Sequence, residues 1–223
     1  MSFSIEWDNC YTSNKQMSIW PWVDLISYVM RYAPPSGPNA RVLELGCGAG
    51  ANIPFFKHLN AEYHAVEGST TIVPLLQERF PEYARNICIG DFTKEIPFAG
   101  PFDLIVDRAS VTHNPTQAIK RTLEMCHRLL KPGGKYIGID WFSTEHSDFP
   151  RGCQAYDSYT KCNIEEGQFK GVGNVHFSDK THLIELFEHF DFEMLEHKLV
   201  RRAIPQTEHV IATWNFVAVK VGP

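Results

Sequence analysis

Three glycines alternate with other residues in "RVLELGCGAGANI", residues 41–53: Gly46, Gly48 and Gly50. Glycine lets a chain turn sharply, and it lets another molecule lie against bare N–H groups at the start of a helix. Acidic side chains bracket the run. Glu44 stands two positions before the first glycine, and Glu67 closes the next apolar segment. That is about 20 residues on, where a carboxylate can take both hydroxyls of a ribose. The combination suits a nucleotide-like cofactor held by its sugar and by loop backbone.

Three kinds of glycine loop could hold such a ligand. A phosphate-binding P-loop needs Lys-Ser/Thr after its last glycine; Ala51-Asn52 follow here, which excludes it. "GCGAGA" satisfies the dinucleotide fingerprint G-x-G-x-x-G/A, with Ala51 as the third small residue. A loop for S-adenosylmethionine, with strictly alternating glycines and an acidic residue two before the first, fits equally well. The glycine run alone leaves these two open.

Further candidates lie downstream. Asp91-Phe92 and Asp107 end strand-like runs, and ligands of open α/β sheets bind at the carboxyl ends of strands. In "DRASVTHN", His113 is a candidate general base, or else a capping or packing residue. Arg108 is a candidate anchor for an anionic group, or else the partner of a surface carboxylate. Trp20, Trp22, Trp141 and Phe142 read as core or wall, and aromatic faces would suit a cationic sulfonium. Arg151, Tyr156, Tyr159 and Lys161 are candidate wall residues. His182, Glu185 and His189 share one helical face, with Leu183, Ile184, Phe187 and Phe190 defining the opposite, core face. The His/Glu face reads as solvated, and two histidines without a third ligand make no metal site, so no metal is expected.

Strands alternating with helices must position these residues. Apolar runs at 41–45, 61–67, 86–91, 102–107 and 135–142 read as strands; 51–58, 69–80 and 115–130 read as helices. The last of these helices has Asn114 as N-cap, Pro115 at the first helical position and Gln117 reaching back, and "KPGG" (131–134) stops it. Such alternation implies parallel strands and a doubly wound α/β sheet. An amphipathic helix over 178–190 and two strand-like runs, 193–201 and 210–219, close the chain. Two regions break the pattern. Residues 1–33 contain a helix entered through Trp20-Pro21 and read as a lid, in which Tyr11 and Trp20 could close over a cofactor. Residues 143–177 have weak periodicity, and a segment this long reads as a binding insertion.

The chain has 223 residues, 43% of them hydrophobic, and a net charge of −5. This fits one domain with a normal core. No basic stripe is present, which argues against a nucleic-acid partner. No apolar run reaches membrane-spanning length and the N-terminus lacks a secretory pattern. The six cysteines include no C-x-x-C; they read as reduced, with Cys47, Cys88 and Cys126 in or beside apolar segments, in a cytoplasmic protein.

Taken together, "LELGCGAG", "VEGS", "GDF", "FDLIVD" and "LLKPGGKYIGI" resemble the class I, Rossmann-like S-adenosylmethionine-dependent methyltransferases, and in particular bacterial enzymes acting on small molecules. The resemblance spans residues 41–142. It implies a seven-stranded sheet of order 3-2-1-4-5-7-6, with the last strand antiparallel. It implies that Glu44, Gly46, Cys47 and Gly48 face the methionine part of the cofactor, that Glu67 and Gly68 hold the ribose, and that Asp91 and Phe92 meet the adenine. Asp107 and the chain after it, Arg108 and His113 included, would line the methionine end and the acceptor site, with His113 and Asp107 the catalytic candidates; Trp141, Arg151 and Tyr156 are, from their own segments, candidates for the acceptor wall. The motifs of DNA amino- and cytosine-C5-methyltransferases are missing: "DRAS" follows strand four where Asp/Asn-Pro-Pro-Tyr/Phe or Pro-Cys would stand. A small-molecule acceptor methylated at O or N, with a sugar-containing intermediate as one candidate, is expected, in a monomer or homodimer. The rival readings are an NAD(P)-dependent oxidoreductase, for which no Tyr-x-x-x-Lys pair exists, and a non-catalytic binder of the same cofactor. On this fold, Glu67→Ala is expected to weaken cofactor binding strongly and to leave stability nearly intact.

Overall fold

The run "RVLEL" is apolar at nearly every position, as a strand covered on both faces must be. It forms β1 (Arg41–Leu45), whose last four residues are buried. β1 pairs in parallel with β2 (Glu62–Glu67) on one side and β4 (Phe102–Arg108) on the other. β3 (Ile87–Ile89) and β5 (Leu130–Phe142) extend the parallel sheet outward. β9 (Phe190–Arg201) and β10 (Val210–Lys220) form an antiparallel hairpin, and β10 inserts beside β5. The order β3-β2-β1-β4-β5-β10-β9 is the expected one. This computed structural model describes residues 5–37 and 39–222, so the first four residues of the expected lid lie outside the described residues.

Helices cover both faces. α2 (Val23–Tyr32), α3 (Ile53–His58) and α4 (Ile72–Arg79) pack on one, around Leu25, Val29, Phe56, Tyr63 and Leu76. α5 (Thr116–Leu129) and α6 (Lys180–Leu186) cover the other, around Leu43, Ile105, Ile119, Tyr136, Trp141 and Phe216. Among the described residues no helix is long and apolar enough to cross a membrane.

Several local expectations are corrected. The N-terminal segment holds the expected helix, α2, entered through Trp20-Pro21, and a further helix before it, α1 (Ile5–Thr12). The insertion is not irregular throughout. It contains a three-stranded sheet of β6 (Cys153–Gln154), β7 (Thr160–Cys162) and β8 (Val175–His176), with its own core of Phe142, Ile164, Phe169, Val175 and Phe177. α5 begins at Thr116, not Pro115, and Asn114 does not cap it; the Asn114 amide donates to the Val111 carbonyl. The free N–H of Thr116 goes instead to the carboxylate of Asp157, 2.9 Å away in the insertion. A side chain distant in sequence thus does the capping.

The closing helix is also shorter than expected. Phe187 lies just past α6, and Phe190 opens β9. His182 is buried rather than solvated, and Ile184 is exposed. The His182 ring stacks on Tyr159 at 3.6 Å, and its Nε2 meets Nε2 of His176 at 3.1 Å. A polar ring satisfied in this way belongs in an interior.

Gly138 stands opposite Phe216 in the pairing of β5 and β10, and a Cβ there would collide with the Phe216 ring. Gly138→Ala is expected to destabilise the fold by about 1–3 kcal/mol through overpacking, read as a lower midpoint in urea unfolding with the slope unchanged.

Candidate functional site

A cavity of about 460 Å³ opens at the carboxyl ends of β1, β2, β4 and β5. The glycine loop forms its floor. Gly46 has φ +65, and a Cβ there would strike the side chain of Ser110. Gly48 has φ +52, and a Cβ would lie 3.0 Å from the Tyr11 hydroxyl. Both positions combine a left-handed backbone with close approach, which only glycine meets without strain.

Glu67 holds this loop. Its Oε2 accepts from the Gly48 N–H at 2.8 Å and its Oε1 from the Ser69 N–H at 3.0 Å. Burial raises its pKa, and the backbone bonds from Gly48, Ser69 and Gly68 oppose that. Removing the side chain would strand these buried donors, at a cost of about 1–3 kcal/mol. The expectation that Glu67→Ala spares stability is therefore corrected.

Glu44 is buried below the loop. It accepts from Tyr63 Oη at 2.6 Å and Asn52 Nδ2 at 2.8 Å. Burial pushes its pKa up to about 7 against those two bonds, with Asp107 and Glu67 adding like charge. Cys47, Gly68, Phe92 and Asp91 also line the cavity. Asp91 Oδ1 accepts from the N–H and the hydroxyl of Thr93, and Oδ2 pairs with Lys94 at 3.0 Å.

α1 closes one side. Asp8 takes the Ser69 hydroxyl at 2.5 Å and the N–H and hydroxyl of Thr71 at 3.2 and 3.1 Å. Trp7 and Tyr11, one helical turn apart, then face the cavity. Trp20 does not: it is 77% exposed and outside the lining, while Trp22 lines the cavity in its place. The reason is the turn at Trp20-Pro21, which points the first indole outward and brings the Trp22 N–H to Asn52 Oδ1 at 3.2 Å.

At the far end, Arg108 lies 3.5 Å over the Trp22 ring and pairs with Asp140 at 2.9 Å. His113 Nδ1 is 2.9 Å from the Asn174 carbonyl, so Nδ1 carries the proton and Nε2 keeps its lone pair. Trp7 and Phe142 flank its ring at 4.9 and 5.7 Å. Burial pushes its pKa down to about 4, so it is neutral near pH 7.

Asp107 does not reach the cavity. It is fully buried beneath the loop, where the N–H and hydroxyl of Ser110, the N–H of Val111 and Nε1 of Trp141 all bind its carboxylate. It positions the turn after β4 rather than meeting a ligand. Trp141 is corrected with it: its indole lies in the aromatic core beside Tyr136, Phe187 and Phe216. Arg151 and Tyr156 are outside the lining as well; Arg151 pairs with Asp148 at 3.2 Å and Tyr156 is 78% exposed.

The sequence reading missed Trp7, Asn52, Ser110, Asp140, Gln168, Phe169 and Thr213, all of which line the cavity. Trp7 was within reach, being four residues before Tyr11 on one helical face. Asp140 lies near the end of β5, as Asp107 lies near the end of β4. Gln168, Phe169 and Thr213 carry no local signal, because tertiary packing of the insertion and the hairpin brings them in.

Residues 42–134 match the family model described as "Methyltransferase domain". The chain is 26% identical over 164 residues to phosphoethanolamine N-methyltransferase of Plasmodium falciparum, covering 68% of this chain and 61% of that protein. It is 26% identical over 183 residues to the tRNA N(3)-cytidine methyltransferase METTL2 of Danio rerio, covering 76% and 49%. The chain thus spans less than two thirds of the length of these relatives. The fold superposes on a SAM-dependent methyltransferase from Methanosarcina mazei with TM-score 0.67 at 14% identity, covering 92% of this chain and all of that one.

Glu44 supplies a test of the buried carboxylates. Its folded pKa, about 7, stands above its ordinary 4.5, so its protonated form is the one the fold favours. Its stabilising contribution is full below about 4.5 and lost as pH rises through about 7. The melting temperature of the ligand-free protein, measured against Glu44→Gln, should therefore fall relative to the variant as pH rises through that window.

Proposed function

We propose that this chain, whose residues 42–134 match the methyltransferase-domain model, is a class I S-adenosylmethionine-dependent methyltransferase and transfers a methyl group to an oxygen or nitrogen atom of a small-molecule acceptor. The observation that carries this reading is the two-ended make-up of the cavity. Glycine backbone and buried carboxyl groups line one end; a neutral imidazole, one guanidinium and aromatic rings line the other.

The residues at the first end fit the cofactor. Glu67 keeps lone pairs for the ribose hydroxyls beside the Gly48 and Ser69 bonds it already accepts. Asp91 and Phe92 stand where the adenine would lie, and Glu44 answers the positive charge of the methionine part. Bound S-adenosylmethionine supplies an activated methyl on a sulfonium and leaves as S-adenosylhomocysteine. The chain contributes alignment and a dry site, through α1, Trp22 and the insertion. Tyr11, beside Gly48, closes over the cofactor.

At the other end, Arg108 is the only Lys or Arg among the lining residues, and Asp140 takes its charge. A polyanion finds no complementary field there, which supports a small acceptor over a nucleic acid. The likeness to phosphoethanolamine N-methyltransferase favours nitrogen as the methylated atom, and a sugar-containing acceptor fits the polar side chains of Gln168 and Thr213. Arg108, with Nε buried and unpartnered, would bond an acceptor oxygen. His113 Nε2 would take the proton of the reacting group. Its ring is neutral near pH 7, which leaves the Nε2 lone pair free.

Calorimetric titration with S-adenosylmethionine, S-adenosylhomocysteine and NADH tests the reading. Saturable binding of the first two alone is expected, and binding of NADH alone would overturn it. Turnover is then sought by S-adenosylhomocysteine release across candidate amines, alcohols and sugars; no release with any of them would favour a non-catalytic binder. Once an acceptor is found, His113→Gln should lower kcat by about 10²-fold or more and leave cofactor affinity unchanged. Equal loss of both would make His113 a packing residue.

A further inference from the structure

Two cysteines that no sequence spacing connects meet in the insertion. In the antiparallel pair of β6 and β7, Cys153 stands directly opposite Cys162. Both are free thiols; Cys153 is exposed and Cys162 half-buried. Directly opposed residues of an antiparallel pair project to the same face. The ladder type follows from its neighbours. The Ala155 N–H donates to the Thr160 carbonyl at 2.8 Å, which makes that pair a hydrogen-bonded one. Two steps along, Cys153 and Cys162 fall on the same type, with Cα atoms about 5.5 Å apart. Disulfides favour Cα separations of about 5.5–6 Å.

A second observation concerns the residue beside them. A Cβ on Gly152 would lie 2.9 Å from the Cys162 carbonyl oxygen and 2.8 Å from the Ile164 side chain. The two strands therefore run closer here than a side chain would allow. β6 and β7 are only 2 and 3 residues long. Such short strands can give the small further approach that a disulfide asks of the two Cβ atoms.

We propose that Cys153 and Cys162 form a reversible cross-strand disulfide when the protein meets a small-molecule disulfide such as oxidised glutathione. The Cys153 thiolate, the more accessible, attacks one glutathione sulfur and releases one glutathione thiolate. The Cys162 thiolate then attacks the Cys153 sulfur of the mixed disulfide and releases the second. Two cysteine thiols and one glutathione disulfide become one protein disulfide and two glutathione thiols, with electrons and protons passing to glutathione. An exposed, cross-strand bond of this kind is labile and reverses with excess thiol.

The bond would act on the cavity wall. β7 runs directly into residues 163–174, where Gln168, Phe169 and Val172 line the cavity and the Asn174 carbonyl holds His113. Oxidation tethers the start of that segment to β6. The bond itself does not depend on the activity proposed above, and its test requires no turnover.

Trypsin cuts after Arg151, Lys161 and Lys170, which puts Cys153 in the peptide 152–161 and Cys162 in 162–170. Full-length protein is incubated with oxidised glutathione, its remaining thiols are alkylated, and the digest is read by mass spectrometry without reduction. The expected result is one joined peptide, two hydrogens lighter than the sum of its parts, separating again after dithiothreitol. In Cys162→Ser the reaction should stop at glutathione on Cys153. Free thiols at both positions, glutathione on Cys153 in the wild type without joining, or Cys153 joined to a different cysteine would each overturn the proposal.

Discussion

The site depends on one carboxylate holding backbone that would otherwise be unpaired. Glu67 reaches from the end of β2 to the N–H groups of Gly48 and Ser69, in two different loops. A glycine loop with left-handed turns at three positions has many alternative shapes. The bonds to Glu67 select one of them. They also fix Ser69, whose hydroxyl meets Asp8 and so sets where α1 lies. Loop, second strand and N-terminal helix are thus tied by a chain of three polar side chains. The aromatic residues of α1 face the cavity because of it.

A second constraint is electrostatic. Glu44, Glu67 and Asp107 are all buried within one small region, and burial raises the pKa of each. Carboxyl groups so placed cost stability unless each is answered. Asp107 is answered internally, by Ser110, Val111 and Trp141, and becomes part of the scaffold. Glu44 has only the Tyr63 hydroxyl and the Asn52 amide, both neutral. The fold keeps a low-dielectric place beside Glu44 where a positive charge would be welcome.

What the sequence made legible divides along the same line. The alternation of strands and helices and the residues of the glycine loop follow from short contiguous patterns, because local backbone geometry and strand burial leave their mark on neighbouring positions; the order of the strands came only from the resemblance to the methyltransferase family. Glu44 and Glu67 were readable for that reason. Asp107 was misjudged because a strand-end carboxylate looks the same whether it faces a ligand or its own turn; the indole of Trp141, 34 positions away, decides the matter. Trp20 and Trp22 could not be ranked without knowing how Trp20-Pro21 turns. His182 was taken for a surface residue since the partners that explain its burial, His176 and Tyr159, come from the insertion.

The two ends of the cavity are drawn from different parts of the chain. One wall is built from residues between Trp7 and Thr93, while the opposite wall comes from the turn after β4, the end of β5, the insertion and Thr213 on β10. The insertion also carries its own small sheet and its own apolar core. It is joined to the main body at several points, among them Asp157 on the first turn of α5, the Asn174 carbonyl on His113, and His176 and Tyr159 on His182. The architecture therefore divides the building of one cavity: a self-bonded glycine loop frames one wall, and a subdomain with its own core helps frame the other.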